Sequence, residues 1–296
     1  MENPDKSAKQ LTIAMVVSMV FWGISWPANK VLTQFGSAND LGIYRYAFVV
    51  VSLLPLLFFL KVSLKVAKKG IPFLLISGLF MAAYNFSFLQ GLKFGSPGKG
   101  GILVTTLNPL MAYALGMLVD WKRPSKNETM GLFLGIMAGL ILLEIWEGAD
   151  ILLEPANLYF LLAAVLWSVM SKFTSKSANY GSPFAFTWWM YVVTLICLLL
   201  FMDAEKVVLL LDTRDPRFWG NLLFSSVIVT TFATTLYFFA TSKIGAEKAS
   251  SFIFTVPFTA ALSAWLILGE VIELHTIIGG LLGIGAVYMI NRKSRA

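Results

Sequence analysis

The chain has 296 residues, of which 57% are hydrophobic and 13% are charged, and its mean hydropathy is +0.76. Soluble domains are about half apolar and about one quarter charged, so a soluble fold of this length would leave much apolar surface in water. The net charge is +7, and the basic residues lie in short segments between apolar stretches. The sequence has no basic face with interleaved aromatic residues, so we expect that nucleic acid is not a partner. The composition therefore predicts an integral membrane protein whose main solvent is lipid.

Ten apolar stretches follow one another along the chain. A transmembrane helix needs about 20 mostly apolar residues to cross the bilayer. The stretches that meet this requirement are 11–33, 40–60, 71–92, 99–119, 128–145, 157–175, 183–202, 219–242, 247–269 and 274–291. The first is longer than the apolar region of a signal peptide, about 7–15 residues, and no Ala-x-Ala site follows it, so we expect it to be retained. The predicted fold class is all-α, with ten transmembrane helices.

The distribution of Lys and Arg indicates how these helices are oriented. If both termini lie on one side, that side carries sixteen of the basic residues and the opposite side carries six. The segment 144–154, on the opposite side, contains four acidic residues and no basic one. Because basic residues are retained on the cytoplasmic side, we predict a multi-pass protein of the cytoplasmic (inner) membrane with both termini in the cytoplasm.

The two halves of the chain share a pattern of residues. The matching sets are Pro109, Gly131 and Gly135 with Pro257, Gly279 and Gly283, at an offset of 148; Phe88, Lys93 and Gly95 with Phe238, Lys243 and Gly245, at 150; and Phe21-Trp22 with Leu166-Trp167, at 145. This pattern predicts two five-helix repeats, residues 1–150 with spans 1–5 and residues 151–296 with spans 6–10. Because five is odd, the second copy is inverted, as in many secondary transporters. Coincidence is the alternative, since Gly and Pro are frequent in membrane helices.

Short motifs in both halves resemble a known family. They are Trp22-Gly23 with Pro27 and Lys30, Phe88-x4-Lys93-x-Gly95, Lys243-x-Gly245-Ala246, Thr255-Val256-Pro257, Leu268-Gly269-Glu270 and Gly279-Gly280. Together they resemble the EamA-type members of the drug/metabolite transporter superfamily, over nearly the whole chain. The resemblance implies ten helices, two inverted repeats and export of small metabolites. The first half departs from the pattern after span 4, where Asp120 to Lys122 stands in place of Leu-Gly-Glu.

Polar and aromatic side chains recur at helical spacing on four of the predicted helices. Positions i, i+3, i+4 and i+7 share one face of a helix, and a small-molecule pocket is mostly apolar with a few placed polar groups. We therefore predict a substrate site formed by Trp22, Trp26, Asn29, Tyr84, Asn85, Phe88, Trp167, Ser168, Ser171, Thr234 and Phe238. The alternative is that these residues pack the helices together, at about 0.6 kcal/mol per hydrogen bond.

Two prolines lie in the middle of predicted spans. Pro109 and Pro257 each remove a backbone donor and clash with the carbonyl four residues earlier. We predict that both kink their helices and act in gating, and Asn108 supplies a polar group beside the first kink. Structural kinks without a gating role are the alternative.

The chemistry-bearing residues of the chain are few. Every Asp and Glu lies at the edge of a predicted span, and there is one histidine, His275, and one cysteine, Cys197. This scarcity predicts no catalytic site, no metal site and no cofactor. Proton-coupled carriers commonly keep a carboxylate or histidine at depth, so we expect passive transport or exchange. Arg45 and Lys30 are the basic candidates near a cavity, although Arg45 has Asp40, five residues earlier, as an alternative partner.

These features predict a secondary transporter that works by alternating access, with a small-molecule substrate and the lipid bilayer as its partners. Neutral or zwitterionic metabolites fit best, amino acids among them, with export as the expected direction and a monomer as the expected state. A multidrug or cation efflux carrier is one alternative. A membrane receptor that binds without transport is the other.

Overall fold

A computed structural model describes residues 4–95, 97–121, 123–142, 144–148, 154–268 and 273–292. These residues are almost entirely helical, and extended pairing within them is limited to one isolated bridge between Val66 and Gly181. In chain order the α-helices are α1 (Pro4–Leu32), α2 (Ala38–Phe59), α3 (Ile71–Phe94), α4 (Pro97–Asp120), α5 (Lys126–Leu142), α6 (Pro155–Thr174), α7 (Pro183–Leu199), α8 (Ala204–Leu211), α9 (Pro216–Leu223), α10 (Thr235–Ile244), α11 (Ala246–Ser251), α12 (Val256–Leu268) and α13 (Leu274–Asn291). Proline opens several of them, at positions where a backbone donor has no helical partner.

Helical structure covers most of each of the ten predicted stretches. In the described part of the chain, seven helices are long and apolar enough to span a membrane. The number is eight if α7 and α8 together form one span. The stretch 128–145 falls short because α5 has 17 residues, and the stretch 247–269 is divided by a 3-10 turn at Phe252–Thr255. The protein is an all-helical, multi-pass membrane protein, and the count of ten spans stays a prediction.

The predicted stretch 183–202 ends earlier than expected. The helix α7 ends at Leu199, and α8 follows at an angle of 115° to it. Asp203 caps α8 by accepting a hydrogen bond from the backbone of Lys206. Since α8 buries Leu210 and exposes its other leucines, it is suited to lie along a membrane surface.

The helix from Pro216 to Ile244 changes its winding in the middle. Residues Phe224–Thr234 form a π-helix, whose bonds reach back five residues rather than four. Threonine hydroxyls support this register: Thr230 Oγ1 donates to Ser225 O at 2.9 Å, and Thr234 Oγ1 donates to Val229 O at 3.0 Å. Because π-helical turns are rare and frequently lie at functional sites, this segment is a candidate for part of the functional site.

The bundle is apolar outside and partly polar inside. Phe58, Leu118 and Leu266 expose 67–80% of their surface, which is typical of side chains that face lipid. Small hydroxyl residues are buried between the helices, and many donate to a carbonyl of their own helix, as Ser226 Oγ does to Leu222 O at 2.7 Å. Soluble proteins have the opposite distribution, with polar side chains outside and apolar ones inside. Apolar side chains outside are expected where lipid is the solvent, and buried polar groups must then form hydrogen bonds within the protein.

The packing of the helices brings the two halves of the chain together. The helix α1 packs against α12 and the π-helical segment, whereas α6 packs against α3 and α4. The helix α5 packs along α13, and α2 packs along α7. Each of these contacts joins residues before and after position 150, so the centre of the bundle is enclosed by helices from both halves.

Candidate functional site

A cavity lies in the centre of the bundle. It is bounded by α1, α2, α3, α4, α6 and the π-helical segment, with one further residue from the 3-10 turn before α12. Its lining residues are Trp22, Ser25, Trp26, Asn29, Arg45, Tyr46, Met81, Tyr84, Phe88, Val104, Thr105, Asn108, Trp167, Val229, Thr230, Thr234 and Ile253. The volume of the cavity is about 50 Å³, which is enough for only a few water molecules. A metabolite requires the walls to move apart.

Six of the seventeen residues that line the cavity are aromatic. Trp167 of α6 contacts Trp22 at a centroid distance of 5.0 Å and Tyr84 at 4.8 Å. Trp26 meets Phe88 edge to face at 5.0 Å, and Phe88 stacks on Tyr84 at 5.8 Å. Rings at these distances attract one another beyond the area they bury, so the wall is a connected aromatic cluster drawn from α1, α3 and α6.

Hydrogen bonds tie this cluster to the polar part of the wall. The indole Nε1 of Trp22 donates to Thr234 Oγ1 at 3.2 Å. The hydroxyl of Ser168 donates to Ala164 O in its own helix at 2.9 Å and lies 3.3 Å from the carbonyl oxygen of Asn108 in α4. The wall therefore combines aromatic and aliphatic side chains with hydroxyl, amide and guanidinium groups, a combination that suits a small amphipathic molecule.

Most of the predicted site residues meet at this cavity. Seven of the eleven line it, and they are Trp22, Trp26, Asn29, Tyr84, Phe88, Trp167 and Thr234. The other four lie behind the wall: Asn85 accepts a bond from Arg45, Ser168 contacts Asn108, Ser171 shares a 3.2 Å bond with Tyr237, and Phe238 stacks on Trp167 at 5.5 Å. The role of all eleven in substrate binding stays a prediction.

Ten of the seventeen lining residues were not among the eleven predicted site residues, and six of these ten are polar or aromatic, namely Ser25, Arg45, Tyr46, Thr105, Asn108 and Thr230. The helix α2 has no stripe of hydroxyl residues, so periodicity gives no signal for its contribution. On the π-helical segment, Thr230 and Thr231 lie four and three positions before the predicted Thr234, so helical spacing admits both. Thr230 lines the cavity, whereas the hydroxyl of Thr231 pairs with Ser52 Oγ at 2.7 Å.

Arg45 does not pair with Asp40. Its guanidinium donates from Nη1 to Asn85 Oδ1 at 2.9 Å and from Nη2 to Thr230 Oγ1 at 3.3 Å. Side chains five positions apart on an α-helix point about 140° away from each other, so the two residues of α2 face different surroundings. Asp40 instead accepts a bond from the hydroxyl of Ser37 at the start of the helix, at 2.6 Å. Arg45 therefore belongs to the cavity.

Lys30, the second basic candidate, has a different role. Its Nζ donates to the carbonyl oxygens of Leu92 at 2.5 Å and Gly95 at 2.9 Å, at the C-terminal end of α3. These carbonyls have no further turn of helix to bond to, and a cation at a helix C-terminus satisfies them. Lys30 does not line the cavity and acts as a helix cap.

An ion cluster closes the bundle on the predicted cytoplasmic side. Lys172, at the end of α6, pairs with Asp120 at the end of α4 and with Glu247 at the start of α11, the second at 2.7 Å. The lysine and the glutamate expose only 10% and 12% of their side chains. Because one buried cation serves two acids from different helices, separating these helices leaves charges without partners.

Phe160 closes the opposite side, near the start of α6. Its ring is fully buried, and the ring of Trp26 lies 5.9 Å from it. A Cβ atom at Gly91 or Gly100 would overlap the Phe160 ring, so glycine is needed there for close approach. Phe160 therefore packs tightly against α3 and α4 near the end of α6 opposite to the ion cluster.

The two prolines behave differently. Pro257 follows the 3-10 turn at Phe252–Thr255, which interrupts helical winding where the proline removes a backbone bond. Pro109 lies inside α4, which continues as a helix from Pro97 to Asp120. A gating role for either residue stays a prediction.

His275 lies outside the cavity. Its Nδ1 is 3.1 Å from Glu144 Oε1 and 3.3 Å from Glu273 Oε2. These three side chains have one possible metal-ligating atom each, all close together. The expectation that the chain holds no metal therefore stays a prediction.

An apolar helical bundle around a central cavity, with aromatic, amide and hydroxyl walls shared between two halves of the chain, defines a membrane carrier for small molecules. The sequence profile of the EamA-like transporter family matches residues 11–144 and 154–292. The chain belongs to the EamA-like transporter family, and it is a transporter rather than an enzyme.

Individual proteins agree with this assignment. The chain is 21% identical over 270 residues to the uncharacterized transporter YyaM of Bacillus subtilis, with 89% of this chain and 87% of the relative covered. It is 22% identical over 288 residues to an uncharacterized transporter of Archaeoglobus fulgidus, with 95% and 98% covered. A WAT1-related chloroplastic protein of Arabidopsis thaliana is 27% identical over 221 residues, with 68% and 50% covered. A solved crystal structure has the same fold, with a TM-score of 0.72 and 17% identity, over 95% of this chain and 97% of the other.

Proposed function

We propose that this protein is a secondary transporter that exports small neutral or zwitterionic metabolites, amino acids above all, by alternating access. The central observation is the wall of the cavity, which combines tryptophan and tyrosine rings with asparagine and threonine side chains. Rings bind the apolar part of an amphipathic molecule, and amides and hydroxyls bind its polar part. No Asp or Glu is among the described residues that line the cavity, which argues against a permanently cationic cargo.

We propose further that the chain spans the membrane ten times as two inverted repeats. Contacts between α5 and α13 support this arrangement. A Cβ atom at Gly131 would lie 2.9 Å from Ala286 O, and one at Gly279 would lie 3.2 Å from Ala138 O. Gly279 is Gly131 moved by 148 positions, and Ala286 is Ala138 moved by the same number. Each helix therefore makes the same close approach to the other, as two elements related by a twofold axis do.

The other helices support the same relation. If the helices of the first half are exchanged for those of the second, α1 takes the place of α6, α3 that of the helix 216–244, and α4 that of 246–268. The contact of α1 with the helix 216–244 then corresponds to the contact of α6 with α3. The contact of α1 with α12 corresponds to that of α6 with α4. All four contacts are present. The family profile also matches two segments that lie on either side of the proposed boundary.

Alternating access requires the cavity to open to one side at a time. The ion cluster around Lys172 and the packing of Phe160 against glycine close the two proposed ends. Both closures join helices from different halves. We propose that rocking of one half against the other separates these closures in turn.

Orientation and localisation are part of the proposal. The excess of Lys and Arg on one side supports cytoplasmic termini in a cytoplasmic membrane. A reporter fused after position 296 should be cytoplasmic, and one inserted in 146–154 should be external. The same location for both reporters would contradict five spans between the two positions and would overturn the ten-span arrangement.

Flux in liposomes tests the function directly. Purified protein is reconstituted into liposomes loaded with one unlabelled amino acid, and uptake of the same labelled amino acid is followed by counterflow across a panel of amino acids. We expect accumulation that depends on the internal amino acid and is absent from protein-free liposomes. Binding without flux would favour a receptor, and flux confined to organic cations would favour a multidrug carrier.

A further inference from the structure

Arg45 is a buried cation in the wall of the cavity. It exposes 7% of its surface and lies in the second turn of α2. Its hydrogen-bond partners, Asn85 on α3 and Thr230 on the π-helical segment, are neutral. Both partners lie near the middle of their helices. The guanidinium is therefore held at depth in the bundle rather than at its edge.

The charge of Arg45 has no counterion among the described residues. None of the ion pairs found there includes Arg45, and the described part of the cavity wall contains no carboxylate. The Nε atom of the guanidinium is buried and has no hydrogen-bond partner. A buried charge with an unpaired donor is costly unless something neutralises it. Two neutral acceptors bind Nη1 and Nη2 of the guanidinium, and Nε has no partner.

The wall also contains an unpaired acceptor. Asn29 on α1 is 1% exposed, and its Nδ2 donates to Ser25 O at 2.7 Å. Its Oδ1 is buried and accepts no hydrogen bond. Two residues of the cavity wall therefore carry a buried polar atom without a partner, a donor on the cation Arg45 and an acceptor on the neutral Asn29.

We infer that Arg45 binds the carboxylate of the transported molecule, and that the cargo is an amphipathic carboxylate such as an α-amino acid. The guanidinium fork matches the geometry of a carboxylate, and a carboxylate supplies the missing negative charge. The free Oδ1 of Asn29 and the faces of the rings suit an ammonium group on the same molecule. This inference deepens the proposed function and rests on it.

Matched acids and amides separate this role from a purely structural one. In nanodiscs, binding of L-leucine is compared with L-leucinamide, and of L-phenylalanine with L-phenylalaninamide, from the ligand-dependent rise in unfolding temperature. Each pair differs only in carboxylate against carboxamide. We expect the natural protein to bind the acids about 10- to 100-fold more tightly than the amides, because hydrogen bonds to charged groups are strong.

Variants of Arg45 connect this preference to one side chain. Arg45→Gln should bind acid and amide equally, and Arg45→Lys should keep part of the preference because it keeps the charge without the fork. Thr230→Val removes one of the bonds that orient the guanidinium and serves as a folded variant if Arg45→Gln does not fold. It should weaken acid binding more than it weakens amide binding. Equal binding of acid and amide by the natural protein, or no binding of any acid, would overturn the inference.

Flux measurements distinguish this failure from failure of the transport proposal. If acids bind through Arg45 but no acid crosses the liposome membrane, transport is refuted and the carboxylate site stands. If acids and amides cross at equal rates, transport stands and the carboxylate site is refuted.

Discussion

The indole rings of Trp22 and Trp167 meet edge to face in the centre of the bundle, with centroids 5.0 Å apart and planes at 87°. The two residues belong to matching sets in the two halves of the sequence, 145 positions apart. Both line the cavity. Their contact joins α1 to α6, so any movement of one proposed repeat against the other changes the shape of the cavity at this point.

The first prediction concerns Trp167. From the sequence, we expect Trp167→Ala to cut transport with little loss of folded protein. The structure argues against the second part, because Trp167 is 4% exposed and contacts four other aromatic rings. Truncating such a side chain costs about 3–5 kcal/mol. Trp167→Phe keeps a ring and should fold, while amino-acid counterflow falls roughly tenfold.

The matched control is Trp189, an indole that is 37% exposed and does not line the cavity. Trp189→Phe should leave counterflow unchanged. If Trp167→Phe and Trp22→Phe both transport at the natural rate, the cavity does not bind the cargo.

The second prediction concerns the glycines between α5 and α13. Gly131→Ala and Gly279→Ala should each lower the free energy of unfolding by about 1–3 kcal/mol, because the new methyl group overlaps a packed side chain, Ile290 or Leu142, and also lies close to a carbonyl oxygen of the facing helix. The control is Gly285→Ala on α13, where the nearest atom outside the helix is 3.8 Å away. That change should be neutral or slightly stabilising. Thermal unfolding in detergent measures all three, and a loss at one glycine alone would argue against matched contacts.

The third prediction concerns the ion cluster. Lys172→Met leaves Asp120 and Glu247 without their shared cation, so stability should fall by about 3 kcal/mol. The repulsion between the two acids should also separate α4 from α11 and open the cavity on the cytoplasmic side. The control is Lys206→Met, which breaks an exposed pair with Asp203 and should leave the unfolding temperature almost unchanged.

Thiol labelling measures this opening. In a Cys197→Ala background, Asn108→Cys places the single thiol in the cavity wall. It should react faster with a membrane-impermeant maleimide added from the cytoplasmic side when Lys172→Met is also present. The same rate with and without that change would show that the cluster does not hold the cavity closed.

The fourth prediction concerns energy coupling. Among the described residues that line the cavity there is no Asp, Glu or His, so none of these side chains exchanges a proton there. Counterflow should therefore persist without a pH gradient and follow the cargo gradient alone. Glu270, at the edge of a predicted span, is the acidic residue that we expect to titrate if this prediction is wrong, and it lies outside the described residues. Strict dependence on an imposed pH gradient, abolished by Glu270→Gln but not by Glu273→Gln, would refute passive transport.

Much of the fold could be predicted from the sequence because its signals are local. A helix in lipid must be apolar over its whole length, so the stretches could be counted without knowing how they pack. The same holds for the candidate site on α1, where Trp22, Trp26 and Asn29 follow ordinary helical spacing and all reach the cavity.

The contribution of α2 and of the helix 216–244 could not be predicted in this way. The partner of Arg45 depends on which helices pack beside α2, and Asn85 and Thr230 are 40 and 185 residues away along the chain. On the helix 216–244, spacing from Thr234 admits both Thr230 and Thr231, and only the packing of the helices decides that Thr230 lines the cavity while Thr231 bonds to Ser52.

The sequence by itself determined that this protein is an all-helical membrane protein with aromatic and polar faces on its helices, because hydropathy and helical spacing are properties of each segment alone. Only the tertiary structure decided which of those faces meet, that Arg45 lies among them, and that Lys172 pairs with acids of two other helices. Charges and hydrogen bonds between distant segments depend on packing, and packing is fixed only when all the helices are in place.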